Sequence, residues 1–236
     1  MEAFIQMVYY LALANPFFCL ILILSKIKLI LKESIYREPI QLSPPRSGST
    51  LLWNCLKVYH GNTRKLHNFD QLNKPLWRTK LFITIRNPVD IVCSLLRISE
   101  NNFDSRNIYK TVNKLKGFNL ELYPKLYSRN NCIFFKYEKF YKNYDYIFLK
   151  LDKAFGPISD ASKQSFINNL SIDNASKISD VYKTFESYDS ETNIHGNHIS
   201  RFKGKPNSYS ELVSDDDIHY IKDNFQEFMK FFDYIV

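Results

Sequence analysis

Pro44-Pro45-Arg46-Ser47-Gly48-Ser49-Thr50 follows a short apolar stretch, Pro39-Ile40-Gln41-Leu42, and precedes Leu51, Leu52, Cys55 and Leu56, which recur at helical spacing. The order is strand, loop, helix. A Gly-containing loop in that position aims several backbone N–H groups and the positive end of the helix dipole at one point, which makes an anion site. A Walker A loop needs G-x-x-x-x-G-K-[ST], and this stretch has neither the first Gly nor a Lys before the hydroxyl. An ATP- or GTP-hydrolysing P-loop enzyme is therefore disfavoured. What remains is a short phosphate loop with one basic side chain, Arg46, and hydroxyls from Ser47, Ser49 and Thr50.

The same alternation continues downstream. Leu81-Phe82-Ile83-Thr84-Ile85 is an apolar run of strand length closed by Arg86. Asn87 and Pro88 suit the N-cap and first turn of a helix whose apolar face is Ile91, Val92, Leu95 and Leu96. Cys132-Ile133-Phe134-Phe135 reads as a third strand, followed by an aromatic helical stretch ending near Gly156. Residues 157–194 are polar and read as helix and loop, and 98–130 as variable loop. Ser214 with Asp215-Asp216-Asp217 opens a last helix whose stripe is Ile218, Ile221, Phe225, Phe228 and Phe232. Strands alternating with helices predict a three-layer α/β sandwich around a central parallel sheet, of P-loop NTPase-like type, with an additional N-terminal hydrophobic helix.

Composition narrows the partners. The chain of 236 residues carries a net charge of +8, and residues 26–65 hold eight Lys/Arg against two acids. An anionic partner near the loop is expected, although charge alone does not separate a nucleotide from nucleic acid, lipid headgroups or a solvated basic face. The cysteines at 19, 55, 93 and 132 have no metal-ligand spacing, so no metal site or disulfide framework is expected.

Two motifs taken together resemble the sulfotransferase family. Pro45 to Leu52, P-R-S-G-S-T-L-L, is similar to its 5′-phosphosulfate loop, and Arg86-Asn87-Pro88-Val89-Asp90 with Ser94 is similar to its 3′-phosphate motif. Phe135-Lys136-Tyr137-Glu138 resembles the family's segment after the next strand, and Gly196 through Arg201-Phe202-Lys203-Gly204-Lys205 its basic segment over the nucleotide. The resemblance implies 3′-phosphoadenosine 5′-phosphosulfate as donor, held by Arg46, Ser47, Gly48, Ser49, Thr50, Leu51, Arg86, Ser94, Arg201, Lys203 and Gly204. It implies sulfuryl transfer to an acceptor hydroxyl, with a carbohydrate or lipid as the acceptor class expected, and with neither a metal nor a nucleic-acid partner. Arg46 would stabilise charge on the bridging oxygen, and His67, in a segment that looks like the family's K-T-H, would be the base. His60, His195, His198 and Asp70 are rivals for that role.

The resemblance does not reach the N-terminus. Val8 to Leu24 is apolar apart from Asn15 and Pro16 and is followed by Lys26, Lys28 and Lys32. Residues 8–24 are thus a candidate membrane anchor within a segment 1–32, with the sulfotransferase domain at 33–236. If the segment spans the membrane rather than lying at its interface, the lysines place that domain on the cytoplasmic side. A nucleotide or sugar kinase with a degenerate phosphate loop, and a non-catalytic anion-binding membrane protein, stay open as alternatives.

Overall fold

The computed structural model describes residues 39–72, 79–99, 101–197, 199, 203–208 and 212–234. The candidate anchor at 8–24 lies outside them, and among the described residues no helix is long and apolar enough to cross a membrane.

Four parallel strands, β1 (Ile40–Leu42), β2 (Arg64–Leu66), β3 (Leu81–Ile85) and β4 (Cys132–Lys136), form one sheet in the order β2-β1-β3-β4. Side chains alternate across a strand, and β3 shows what this sheet does with the alternation. Leu81, Ile83 and Ile85 join one apolar cluster and Phe82 joins another, so both faces of the sheet are covered. On the first face lie α2 (Pro88–Ile98), α3 (Ser105–Lys116), α4 (Leu122–Tyr127), α9 (Asp215–Asn224) and α10 (Gln226–Phe231), through Ile91, Val112, Leu126, Ile221 and Phe228 among others. Against the second face pack α1 (Ser49–His60), α6 (Tyr144–Phe155) and α7 (Asp160–Leu170), through Leu52, Leu56, Phe148, Leu151 and Phe166. Two short helices, α5 (Tyr137–Phe140) and α8 (Ile172–Val181), complete the chain order. The predicted three layers are present.

Two expectations are corrected, and one strand carries no signal in the sequence. That strand is Arg64–Leu66, at the sheet edge: its ladder with Ile40–Leu42 stabilises a stretch too short and too cationic to show an apolar run. The 98–130 stretch holds helices α3 and α4: Asp104 caps Asn107 N at 2.8 Å, and Ile108, Val112 and Leu115 are all buried. The C-terminal stripe is buried as expected, but the helix breaks at Phe225, which ends α9 and opens α10.

The topology places the site. From β1 the chain runs through α1 on one face to β2, whereas β3, on the other side of β1, feeds α2 on the opposite face. The loops leaving β1 and β3 therefore part, and a crevice opens between their carboxyl ends, where open α/β sheets bind ligands.

Candidate functional site

The loop after β1 is sewn to the end of β3. Ser43 Oγ accepts a hydrogen bond from Thr84 N at 2.7 Å, and Ser47 Oγ lies 2.7 Å from both the Pro44 carbonyl oxygen and Thr84 Oγ1. Arg46 and Gly48 both take left-handed backbone, φ 64° and φ 87°. At Gly48 a Cβ would stand 2.7 Å from Phe140 Cζ and 2.8 Å from Tyr137 Cδ2, so α5 packs against the loop where only glycine fits. Gly48 is also the N-cap of α1 and supplies no side-chain cap, and the first turn has no acidic residue. The leading N–H groups of α1, at Ser49, Thr50 and Leu51, are left for a ligand at the positive end of the helix.

Arg86 closes β3 and reaches the same point. Its Nη1 donates to the Arg46 carbonyl at 3.1 Å and its Nη2 to the Gly204 carbonyl at 3.5 Å, while the guanidinium lies 4.3 Å from the Tyr137 ring centroid. Asp90, one turn into α2, stands 3.6 Å from Nε, and Asn87 caps α2 by accepting from Val89 N at 3.0 Å. Tyr137 Oη also donates to the Gly204 carbonyl, at 2.9 Å. Two turns into α2, Ser94 Oγ accepts from Arg46 Nε at 2.9 Å. Motifs some 40 residues apart in the chain thus touch.

Arg46, Arg86, Asp90, Ser94, Tyr137 and Gly204 line one cavity of about 1070 Å³, which also takes in Lys65, Arg97, His67 and His195. Its electrostatics are one-sided. Burial, then Arg97 and Arg86, push the Arg46 guanidinium down to about 9. Burial and Arg46 bring Lys65 to about 8, and burial and Arg86 lower Arg97. Cations crowded together in this way are stabilised by a multiply charged anion set between them. The wall offers Asp90 and Glu186 as its acids, and Asp90 is already engaged by Arg86 and by Asn207 N at 3.0 Å.

His67 is oriented by the loop itself. Its Nδ1 lies 3.0 Å from the Ser43 carbonyl oxygen, which can only accept, so the neutral ring carries its proton on Nδ1 and presents Nε2 as an acceptor. Burial, with Lys65 and Arg46 nearby, holds its pKa below the ordinary histidine value. A neutral imidazole with a bare Nε2 is the form that a general base requires.

Arg46, Gly48, Ser49, Thr50, Leu51, His67, Arg86, Ser94 and Gly204 all border the cavity. Ser47 does not: its hydroxyl is fully buried beneath the loop in the bonds to Pro44 and Thr84, which leaves its backbone for a ligand. Lys203 turns to Asp173, 2.6 Å away at the surface. Arg201 and His198 lie outside the described residues. Of the other rival bases, His195 borders the cavity, while His60 and Asp70 are exposed and do not. The sequence motifs give no role to Lys65 or Arg97. Lys65 Nζ donates to Thr50 Oγ1 at 2.8 Å, and its place two residues before His67 on the strand beside β1 was the available signal.

The architecture has solved counterparts. Mouse sulfotransferase SULT7A1 complexed with PAP is similar over 81% of this chain and 84% of its own, at 14% identity and a TM-score of 0.54. Retinol dehydratase in complex with androsterone and the inactive cofactor PAP is similar over 85% of each chain, at 13% identity and a TM-score of 0.59. No protein-family model matches the sequence, and no curated protein does. The chain has the sulfotransferase fold.

Proposed function

We propose that this chain transfers a sulfuryl group from 3′-phosphoadenosine 5′-phosphosulfate to an acceptor hydroxyl. The observation that carries the reading is the junction of two anion-binding elements in one crevice: Arg86 holds the Arg46 carbonyl, and Arg46 in turn reaches Ser94. A donor with phosphates on both its 5′ and 3′ positions uses both elements, whereas a kinase nucleotide needs one. Both solved counterparts hold PAP. The residues fit the donor: uncapped amides and the cations Arg46, Lys65, Arg86 and Arg97 for its charge, and room in the cavity for an acceptor beside it.

When bound, the donor supplies the sulfuryl group, and adenosine 3′,5′-bisphosphate leaves. The first amides of α1 and Arg46 hold the 5′ end, and Arg86 with Ser94 holds the 3′-phosphate. His67 Nε2 takes the proton of the acceptor hydroxyl as its oxygen forms a bond to sulfur. Arg46 and Lys65 stabilise the negative charge on the oxygen freed from sulfur. An arginine does not release protons near neutral pH, so Lys65, brought to about 8, is the better proton donor to that oxygen.

Leu95, Ile98, Phe103 and Leu212 add apolar surface to the lining of the cavity, which favours a lipid-like alcohol over a carbohydrate as acceptor. Attachment of the domain at 33–236 to the cytoplasmic face of a membrane through residues 8–24 rests on the sequence alone. Incubation with sulfur-labelled donor and an acceptor panel tests the activity: label passing to an alcohol supports it. Phosphorylation from ATP without sulfuryl transfer would instead establish the kinase alternative.

A further inference from the structure

Thr50, Trp53 and Lys57 share one face of α1, and that face meets β2 and the turn before it. Trp53 Nε1 donates to the carbonyl of Thr63 at 2.8 Å, a buried residue immediately before the first residue of β2. The half-buried indole does not itself border the cavity. Two ammonium groups lie over its ring: Lys57 Nζ at 4.1 Å from the centroid and Lys65 Nζ at 6.0 Å. Lys57 stays outside the cavity and donates to the Glu191 carbonyl at 2.5 Å.

Lys65 does border the cavity, and two forces work to take it out. It stands at the sheet edge in a strand of three residues, on a long flexible stem, and Arg46 acts on it as a like charge. Side-chain entropy and repulsion both favour turning the ammonium towards water. Opposing them are the hydrogen bond to Thr50 Oγ1 at 2.8 Å and the ring of Trp53, at the edge of the roughly 6 Å over which an aromatic face attracts a cation. The same indole, through Thr63, also fixes the backbone two residues upstream of Lys65.

Resting on the sulfotransferase reading, we propose that Trp53 is a positioning residue for Lys65: it holds the ammonium in the cavity, facing the 5′-phosphate oxygen from which the sulfuryl group departs. Trp53 touches neither nucleotide nor acceptor, so everything it contributes passes through Lys65. Its loss therefore weakens the hold on a 5′-phosphate and leaves the 3′-phosphate, at Arg86 and Ser94, as it was.

The test is a double-mutant cycle read by calorimetry. Wild type, Trp53→Leu, Lys65→Met and the double variant are titrated with adenosine 3′,5′-bisphosphate and with adenosine 3′-monophosphate, which lacks the phosphate that Lys65 faces. The expected result in Trp53→Leu is a roughly two- to fivefold weaker affinity for the bisphosphate, the worth of one cation–π contact, with affinity for the monophosphate unchanged. In the Lys65→Met background the same leucine changes nothing, because both residues act through one ammonium. Trp53→Phe, which keeps an aromatic face and loses only the bond to Thr63, recovers part of the loss. Where Trp53→Leu does not fold, the phenylalanine variant takes its place in the cycle, with a smaller loss that Lys65→Met likewise abolishes. Wild-type bisphosphate affinity in the tryptophan variant would overturn the proposal. So would an equal loss for both nucleotides, or a loss that persists without Lys65, since either makes the indole a packing residue alone. A wild-type protein that binds neither nucleotide is the separate result that removes the sulfotransferase reading.

Discussion

Replacing Gly48 by alanine adds one methyl group where the loop after β1 turns into α1. The backbone there has φ 87°, and left-handed backbone with a Cβ costs roughly 1–2 kcal/mol. The new methyl would also meet Phe140 Cζ at 2.7 Å and Tyr137 Cδ2 at 2.8 Å, inside normal contact distance. Both rings are buried, and α5 is short and braced by the Tyr137 bond to Gly204, so the collision is not relieved by one side chain swinging away. Overpacking of this kind costs about 1–3 kcal/mol. Together the two effects predict about 2–5 kcal/mol of lost stability, or a melting temperature lower by roughly 4–20 °C for a domain of this size. Urea unfolding and thermal melts measure the loss. Where the chain adjusts by moving the loop instead, the cost is read in affinity for adenosine 3′,5′-bisphosphate, because the amides of Ser49 to Leu51 no longer converge. A variant with wild-type midpoint, melting temperature and nucleotide affinity would refute the claim that glycine is required there.

Arg86→Lys keeps the charge but loses the fork that holds the Arg46 and Gly204 carbonyls. Calorimetry should show bisphosphate affinity falling at least about tenfold, the equivalent of about 1.4 kcal/mol. His67→Ala should lower kcat by about 10² to 10⁴ while sparing nucleotide affinity, read in steady-state and binding assays. The acidic limb of the kcat/KM profile follows from the same residue: a base works when neutral, and His67 is held below its usual 6.5, so activity should persist as pH falls through 6.5 and drop only below it. Ser47→Ala should destabilise the fold by about 1–3 kcal/mol in urea melts, because it removes the buried hydroxyl that donates to the Pro44 carbonyl and accepts from the Thr84 hydroxyl.

Much of the sheet was legible because buried parallel strands are continuous apolar runs: β3 and β4 announced themselves this way, and Asn87-Pro88 marked the start of α2 with its own cap. β2 was hidden for the opposite reason. Three edge residues, two of them cations, carry no period and are recognised only by their register with β1. The helix α3 does carry an apolar stripe at Ile108, Val112 and Leu115, but the cations set around those positions, Arg106, Lys110, Lys114 and Lys116, masked it as loop. Within the site, Arg46, Arg86 and Ser94 were readable because they stand in the two motifs that resemble the sulfotransferase family, each at a fixed offset from a strand end. Lys65 and Arg97 were not assigned, and His195 was named only as a rival base, since what brings Lys65 and His195 to the cavity is strand pairing and the docking of the 182–196 stretch on α1. Ser47 shows the converse. A hydroxyl in the right motif position is taken by Thr84, a partner 37 residues away that no local pattern displays.

The central claim is that one crevice holds two phosphates of one nucleotide, one at the loop and the other at Arg86. Parallel calorimetric titrations of the wild type and Arg86→Lys with adenosine 3′,5′-bisphosphate and with adenosine 5′-monophosphate test it most directly. The account predicts that the wild type binds the bisphosphate at least about tenfold more tightly, and that Arg86→Lys loses most of this preference while its weaker affinity for the monophosphate hardly changes. Equal affinity of the wild type for the two nucleotides, or a preference that survives in Arg86→Lys, would contradict it.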